Sequence, residues 1–474
     1  MDDRTLSWIH LLPRDARFLP SPLPDELLAL LGHRIDQTGN IWLGWHASPG
    51  DLPPLSGLEA VVLLEPCGVT PEWLRSKGLG HIRSFAVLPH FGDARWFVPL
   101  EHRRASLRAW DLYVPYHRRA RLRKLLMRLL SSMGASGYFG RRVVLAQRHL
   151  SPLEQALARA VGTQHFSLAV AAGTPGPRRK LTMQVATEQG EVLAYVKYAD
   201  RAETGTLLEQ EAQFLQFVGT LGLRTAAVPD LLYHGSQGDG YVMVTVPVRS
   251  SVKPSGTVLA APHMATLAEM GEYIGTSSTA ELLAQLRARI HALTPSLSTS
   301  WVERFKAALA LVQTLPDLDA LPTTLSHGDF APWNLRIERR GNRLLMFDWE
   351  QGQTDQFMLW DAFHFVSQVH ILINRRRADT DMGAALATVT HSRLSRQHAL
   401  SSSQIHGLYV IYLMDSSVQW FETQRTRPGM QWTLTAEQEM RGRMLDTAAT
   451  LLRTVSAAAC SASADGTSLS LEAQ

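Results

Sequence analysis

The residues best suited to chemistry lie in one block, HGDFAPWNLRIERRGNRLLMFDWE, from His327 to Glu350. Asp329 stands five residues before Asn334, and a predicted hairpin (LRIE, a turn at RRGN, then LLMFD) ends at Asp348. Transfer of a phosphoryl group from a nucleotide requires a carboxylate that accepts the proton of the attacking hydroxyl, and oxygen ligands that hold Mg²⁺ on the phosphates. Asp329 suits the first task. Asn334 and Asp348 suit the second, because Mg²⁺ prefers carboxylate and carbonyl oxygens.

Each piece of this block has an ordinary explanation when it is taken alone. An Asp in an HGD tripeptide is commonly a turn residue, and an Asp at the end of a strand commonly caps the following turn. The ordered set of Asp329, Asn334, hairpin and Asp348 is much less expected by chance than any single part. We therefore predict that Asp329, Asn334 and Asp348 are catalytic, with Asn334 and Asp348 also binding the metal.

A phosphoryl-transfer site also needs groups that hold the nucleotide, and these are predicted upstream. Lys197 lies inside the strand-like run EVLAYVKYA, where a lysine fits poorly unless its ammonium has a buried partner. The next predicted helix offers Glu209 and Glu211 for an ion pair that would fix the lysine on the phosphates. The alternative is a solvated lysine on an exposed strand face.

Two glycines, Gly173 and Gly176, lie between apolar runs in AAGTPGPRRKLTMQV. They are consistent with a turn that covers the phosphates. The pattern is not GxGxxG, and prolines surround it, so the signal is weak.

Four regions position these groups along the chain. Residues 1–140 alternate short apolar runs with turns and helices, which predicts a small α/β extension. Residues 150–250 read as strands interrupted by one helix, residues 251–454 as mainly helical, and residues 455–474 as a disordered tail. The predicted class is therefore α+β.

Composition limits the function classes. A net charge of +4 and a pI near 9.1 are too mildly basic to predict nucleic-acid binding. Two cysteines allow no disulfide framework, and no signal peptide or apolar stretch of membrane-spanning length is evident. We expect a cytoplasmic protein.

With these residues in hand, the chain resembles the aminoglycoside phosphotransferase and choline kinase-like family over about residues 150–450. HGDFAPWN is similar to that family's catalytic loop and FDWE to its metal-binding motif. The resemblance implies a two-lobed protein-kinase-like fold, with a β-rich N-lobe and a helical C-lobe preceded by the extension. It implies ATP or GTP and Mg²⁺ as cofactors.

The resemblance also implies a role for individual residues. Asp329 would be the catalytic base, Asn334 a Mg²⁺ ligand and Asp348 the main Mg²⁺ ligand. Lys197 would bind phosphate with Glu211 as its partner. The segment from Tyr241 to Pro247 would be the hinge under the nucleotide base, and Asp361 would brace the catalytic loop. The nucleotide-binding residues implied or predicted are Lys197, Glu211, Gly173, Gly176, Val244 and Val246.

Two departures from protein kinases favour a small-molecule hydroxyl as the acceptor. Ala331 stands where protein kinases usually carry a lysine, and only thirteen positions separate Asp348 from Asp361, too few for a peptide-docking activation segment. The extension resembles, more loosely, leading regions of phosphotransferase-like proteins found beside genes for bacterial cell-surface polysaccharides. That likeness would imply a sugar, polyol or lipid-linked glycan as the acceptor. Candidate acceptor-site residues are Asp355, His364 and His370. Trp420 and Trp432 could stack on a sugar face, but core or hinge packing would explain them equally well.

Two questions stay open. The alternative function is a catalytically inactive kinase-like scaffold that binds nucleotide, although such scaffolds commonly lose the base, the metal Asp or the Lys. The second question concerns residues 116–133, a predicted basic amphipathic helix with leucines on one face. It would either lie on an anionic membrane surface or pack its leucines onto the rest of the protein.

Overall fold

The structure is a computed structural model, and it describes residues 18–19, 41–89, 95–115, 118–138, 140–172, 180–199, 201–237, 240–248, 251–315, 317–373, 386–425 and 431–468. In chain order, the strands are β1 (Phe18–Leu19), β2 (Ile41–Trp45), β3 (Ala60–Leu64), β4 (His81–Leu88), β5 (Trp96–Pro99), β6 (Arg141–Gln147), β7 (Ser167–Ala171), β8 (Leu181–Ala186), β9 (Val192–Ala199), β10 (Ala226–Ala227), β11 (Leu231–Gln237), β12 (Gly240–Thr245), β13 (Val252–Pro254), β14 (Ile274–Ser278), β15 (Pro322–Ser326), β16 (Leu335–Glu338), β17 (Leu344–Met346) and β18 (Gln353–Phe357).

The α-helices are α1 (Pro71–Ser76), α2 (Arg103–Ala109), α3 (Arg118–Ser132), α4 (Pro152–Val161), α5 (Ala202–Thr220), α6 (Ala261–Met270), α7 (Thr279–Leu293), α8 (Thr299–Gln313), α9 (Trp360–Gln368), α10 (Arg393–Gln397), α11 (Ser402–Arg425) and α12 (Gln431–Ser468). Two compact units contain them: Met1–Gln216 with Pro229–Arg249, and Phe217–Val228 with Ser250–Gln474.

The first unit is built on one sheet, which has eleven strands among the described residues, in the order β1-β2-β3-β6-β4-β5-β7-β8-β9-β12-β11. β5 joins its two halves, because Phe97 of β5 pairs antiparallel with Val170 of β7. Phe85, Phe97, Val143, Leu168 and other buried side chains from both halves share one hydrophobic cluster. The boundary predicted between residues 140 and 150 therefore separates two stretches of sequence that belong to one sheet and one core.

Helix α4 lies between those stretches, and its ends follow local sequence signals. Ser151 and Glu154 form a capping box, Pro152 occupies the first turn, and Gly162 ends the helix with a left-handed φ of 74°. Glu154 also contacts Arg83 of β4, an ion pair in which the Glu154 side chain is fully buried. The helix is thus tied to the strands that precede it in the chain.

The second unit is mainly helical and carries the predicted hairpin. β16 and β17 pair antiparallel, with Leu335 opposite Met346, in a four-stranded sheet β10-β17-β16-β13. The strands of a three-stranded sheet, β14-β15-β18, come from both sides of the catalytic block: β14 and β15 precede it in the sequence, and β18 follows it. The buried side chains of α7, α8, α11 and α12, among them Leu286, Phe305 and Tyr412, form the helical core.

The predicted α+β class is confirmed. Strands are frequent between residues 167 and 245, and helices are frequent after residue 260. The basic helix predicted at 116–133 is α3. The structure differs at the C-terminus, where α12 continues to Ser468 through most of the segment predicted as a disordered tail. No helix in the described part of the chain is long and apolar enough to cross a membrane.

Candidate active site

The predicted catalytic loop, residues 327–334, follows β15 and holds Asp329 at both oxygens of its carboxylate. Asn334 donates from Nδ2 to Oδ2 of Asp329 at 2.8 Å and to its backbone oxygen at 3.0 Å. His364 of α9 lies on the other side, with Nε2 2.9 Å from Oδ1. Each carboxylate oxygen can accept more than one hydrogen bond, so this carboxylate can still accept one from a substrate hydroxyl.

The surroundings of Asp329 keep it ionised. Burial alone would raise the pKa of this carboxyl, but the hydrogen bond and charge of His364 and the hydrogen bond of Asn334 together lower the pKa below its usual value. The ionised carboxylate is the form that can accept a proton.

Asp361 braces the loop, as predicted. Its buried carboxylate accepts hydrogen bonds from the Ser326 hydroxyl at 3.0 Å and from the backbone N–H groups of His327 at 2.7 Å and Gly328 at 3.0 Å. Because Asp361 belongs to α9, the same helix fixes the loop backbone through Asp361 and the Asp329 carboxylate through His364.

In the HGD tripeptide, hydrogen bonds explain the presence of His327 and steric crowding explains the presence of Gly328. Nδ1 of His327 accepts from the N–H of Asp329 at 3.3 Å, and Nε2 donates to the carbonyl oxygen of Phe347 at 3.2 Å. Because Nδ1 accepts a hydrogen bond, the ring is neutral, and burial lowers the pKa of His327 accordingly. Gly328 has a φ of 77°, and an added Cβ would lie 2.0 Å from the carbonyl oxygen of Gln351, so only glycine fits there.

The hairpin brings Asp348 beside Asn334. The N–H of Phe347 donates to the carbonyl oxygen of Asn334 at 3.2 Å, which extends the ladder one step beyond the pairing of Leu335 with Met346. Asp348 follows with a left-handed φ of 73°, a conformation uncommon for a non-glycine residue and often found at functional sites.

The oxygen donors at this position fit Mg²⁺. The Nδ2 group of Asn334 is directed to Asp329, which turns its Oδ1 to the opposite side of the amide. The carboxylate oxygens of Asp348 and Glu350 lie within 4.8 Å of each other. Amide and carboxylate oxygens are the ligands that Mg²⁺ takes in proteins.

The predicted Lys–Glu pair forms within the first unit. Lys197 of β9 contacts Oε1 of Glu211 in α5, and the Glu211 side chain is only 2% exposed. Glu209 is exposed, because two positions along a helix differ by about 200° in direction. Sequence reasoning missed Lys180, which directly precedes β8 and whose Nζ lies 3.5 Å from Oε2 of Glu211. The sequence feature that could have indicated Lys180 is a basic residue directly before an apolar strand.

The other nucleotide-binding candidates are less informative. Val244 is buried in the core of the first unit, and Val246 donates its N–H to the carbonyl oxygen of Asp230 at 2.8 Å. Gly173 and Gly176 lie outside the described residues.

The residues predicted as acceptor-site candidates occupy different places in the structure. His364 meets Asp329, and the Tyr412 hydroxyl, which sequence reasoning missed, lies 3.4 Å from Nδ1 of His364. Asp355 instead binds the N–H of Ser277 at 2.6 Å and the Thr323 hydroxyl at 3.1 Å, so it ties the three-stranded sheet together.

The remaining three candidates are His370, Trp420 and Trp432. His370 is buried. Trp420 packs against Phe421 and the Arg441 guanidinium. The Trp432 side chain lies outside the described part of the structure.

Comparison with known proteins supports the resemblance. Residues 178–361 match the family model described as the phosphotransferase enzyme family (APH). The match spans Lys197, Glu211, Asp329, Asn334 and Asp348. The predicted resemblance is confirmed for that span, whereas the extension lies outside it. No curated protein matches the chain.

Solved structures of phosphotransferases are also similar to the chain. The GDP complex of wild-type aminoglycoside 2'-phosphotransferase-IIIa is 12% identical, with 58% of this chain and 92% of that chain covered and a TM-score of 0.39. Spectinomycin phosphotransferase in complex with ADP and spectinomycin is 10% identical, with 62% and 96% covered and a TM-score of 0.39. Plasmodium vivax ethanolamine kinase is 9% identical, with 58% and 81% covered and a TM-score of 0.40.

Proposed function

We propose that the protein is a Mg²⁺-dependent phosphotransferase that moves the γ-phosphoryl group of ATP or GTP to a hydroxyl of a small molecule. The observation that carries the proposal is the ionised carboxylate of Asp329, held by Asn334 and His364 within the loop that adjoins Asp348. The match of residues 178–361 to the phosphotransferase family supports the same chemistry.

In the proposed reaction, the acceptor hydroxyl donates a hydrogen bond to Asp329 and its oxygen attacks the γ-phosphorus. The bond from the γ-phosphorus to the bridging oxygen breaks, the nucleoside diphosphate leaves, and Asp329 takes the hydroxyl proton. Bound Mg²⁺ would neutralise charge on the phosphates, with Asn334 and Asp348 as its protein ligands. Lys197, oriented by Glu211, would bind the phosphates of the nucleotide.

The segment after Asp348 favours a small acceptor. β18 begins five residues after Asp348 and pairs with β15, so the chain returns directly into a sheet before α9. A peptide-docking activation segment has no room there. A sugar or polyol of cell-surface polysaccharide metabolism is the narrower proposal for the acceptor, and the cytoplasm is the proposed location. Contact of residues 116–133 with a membrane is a separate proposal, because this chemistry does not require it.

The test is a screen for nucleotide consumption with ATP and with GTP, in the presence of Mg²⁺, across aminoglycosides, choline-like alcohols, sugars, polyols and nucleosides. Acceptor-dependent release of diphosphate that matches formation of a phosphorylated product, and that is lost in Asp348→Ala, supports the proposal. A protein that binds nucleotide but consumes none with any acceptor would instead be the inactive scaffold.

A further inference from the structure

Helix α3 presents a row of large apolar side chains to the surface. Leu122 is 68% exposed and Leu129 is 55% exposed, and the residues between and beyond them continue the row. Their spacing places all of them on one face of the helix. The exposed apolar residues of this face are Leu122, Leu125, Leu126, Leu129 and Met133.

The opposite face of α3 attaches the helix to the first unit. Ser131 accepts a hydrogen bond from the Trp110 indole at 2.8 Å, and Met127 packs on the cluster that contains Trp110. Arg128 pairs with Asp111 at 2.6 Å. The exposed row is therefore not the packing face of the helix, and the expectation that these leucines pack onto the rest of the protein is wrong for the described residues.

Basic side chains border the exposed row on both sides. At about 100° per residue, Arg119 and Arg123 fall on one flank and Arg121 on the other. The charge is concentrated here: residues 95–148 contain thirteen Lys and Arg and two Asp and Glu, whereas the whole chain has a net charge of only +4. The rest of the chain is consequently net acidic.

We propose that this face of α3 docks on the surface of an anionic lipid bilayer, with the helix lying in the plane of the interface. A bilayer supplies both complements at once, an apolar interior for the leucines and phosphates for the flanking arginines. It also accepts a convex helix without needing a matching groove.

Other occupants match only part of the surface. A second copy of the helix would bring arginines against arginines along both flanks, which is unfavourable in paired helices. A nucleic acid would satisfy the arginines but leave the leucines in water. If the occupant were instead an acidic partner protein, the purified chain would fail to bind lipid in the test below.

The test is co-sedimentation of the full chain with vesicles of phosphatidylglycerol and phosphatidylcholine, compared with vesicles of phosphatidylcholine alone. We expect binding to the anionic vesicles at low salt. We expect loss of most of that binding at about 1 M salt, where charges are screened beyond about 3 Å.

Two double variants separate the apolar contribution to lipid binding from the electrostatic contribution. Leu125→Gln/Leu129→Gln should lower the partition coefficient about 100-fold, because two large apolar side chains lose their burial in lipid. Arg119→Gln/Arg123→Gln should lower it about 30-fold. The matched controls are Leu232→Gln/Val258→Gln and Arg339→Gln/Arg340→Gln, which change exposed residues elsewhere and should leave partitioning unchanged.

Thermal unfolding of the leucine variant distinguishes docking from internal packing. Exposed leucines should tolerate Gln without a fall in the unfolding temperature. Several outcomes would overturn the proposal: no wild-type binding to anionic vesicles at low salt, equal binding by the leucine variant, a marked loss of stability in that variant, or a wild-type dimer that this variant dissociates.

Discussion

At the scale of single residues, the site is organised around a carboxylate whose position is set before any substrate arrives. Asn334 and His364 take one oxygen of Asp329 each, and Asp361 fixes the backbone of the same loop. A base held in this way needs little reorganisation when the hydroxyl arrives, and fixed geometry contributes much of the effect of such groups.

His364 should act as a positioning residue for Asp329. His364→Ala removes a hydrogen bond to a charged group, so we expect kcat to fall about tenfold or more while KM for the nucleotide stays near its wild-type value. His364→Gln, which keeps an N–H donor, should recover part of the loss. Tyr412→Phe is the control, because the Tyr412 hydroxyl makes the longer contact, 3.4 Å from Nδ1 on the far side of the ring. A rise in acceptor KM with kcat unchanged would instead make His364 an acceptor-binding residue.

Lys197 and Glu211 should affect nucleotide binding. Lys197→Ala is expected to raise the Kd for the triphosphate about tenfold or more, because it removes a charged contact to phosphate. Glu211→Ala should have a smaller effect, through loss of orientation, and exposed Glu209→Ala should have almost none. Calorimetric titration with a non-hydrolysable triphosphate measures all three, and a larger effect from Glu209→Ala would contradict this account of the helix.

Sequence reasoning could identify the residues whose spacing is local. Asp329, Asn334 and Asp348 lie within one loop and hairpin, so their order in the chain already indicates their proximity. The contact of His364 with Asp329 spans 35 residues and that of Tyr412 with His364 spans 48. No local pattern encodes which turn of a distant helix will face the loop, so Tyr412 was missed and His364 was grouped with the acceptor-site candidates.

At the scale of elements, helix α6 packs near the catalytic loop through the buried side chain of His263. Nδ1 of His263 accepts the N–H of Ala260 at 3.0 Å, which caps the first turn of the helix. The ring also lies 6.3 Å from Phe330 of the catalytic loop and 5.1 Å from Phe365 of α9, measured between centroids. The hydrogen bond to Ala260 requires that Nδ1 of this ring be unprotonated.

The stability of the protein should fall in mild acid because of this histidine. Burial lowers the pKa of His263 to about 4 from its usual 6.5, so between pH 6.5 and 4 the unfolded chain binds a proton that the folded chain does not. Stability should therefore decrease as the pH falls through that window, by about 3 kcal/mol from this residue alone.

Denaturant unfolding from pH 7 to 4 measures this effect. His263→Gln should show a weaker loss of stability over the same window, while the exposed control His165→Gln should follow the wild type. Burial also lowers the pKa of His327, so part of the pH dependence will persist in His263→Gln. Identical profiles for His263→Gln and the wild type would contradict this explanation.

Element types were predictable where the local pattern is strong. The hairpin at β16 and β17, helix α5 and the basic helix α3 all follow from periodicity and turn residues. The sequence did not predict which face of α3 is buried, because the spacing of the leucines indicates an apolar face but not what covers that face. Small polar residues near the C-terminus predicted disorder, yet alanine-rich sequence is compatible with the helix that continues to Ser468.

At the scale of the whole molecule, the extension and the strand-rich part of the kinase-like region form one sheet. Trp96 and Phe97 of β5 pair with Ala171 and Val170 of β7. Arg83 of β4 contacts Glu154 and donates to the carbonyl oxygen of Phe166 at 2.8 Å. Pairing between strands about 75 residues apart leaves no trace in local composition, so sequence analysis placed a boundary where the chain has a continuous core.

A chain that begins at Ser151 should therefore fail to fold. It would expose the edge of β7 and leave the buried Glu154 carboxylate without Arg83, and breaking a buried pair costs about 3–5 kcal/mol. A chain that begins at Ile41, which retains β2 to β18, is the matched control and should remain folded. Circular dichroism and gel filtration make the comparison. A monomeric, cooperatively unfolding chain from Ser151 would show that the extension is an independent domain.

Phosphoryl transfer by Asp329→Asn tests the central claim most directly. The measurement follows transfer of a labelled γ-phosphoryl group to the acceptor found in the screen, with nucleotide affinity and unfolding temperature measured on the same preparations. Asn keeps the size of the side chain but offers one carbonyl oxygen in place of two carboxylate oxygens and cannot accept the proton, so turnover should fall about 100-fold or more, with nucleotide affinity and folding retained. Near-wild-type turnover in Asp329→Asn would contradict the assignment of the catalytic loop.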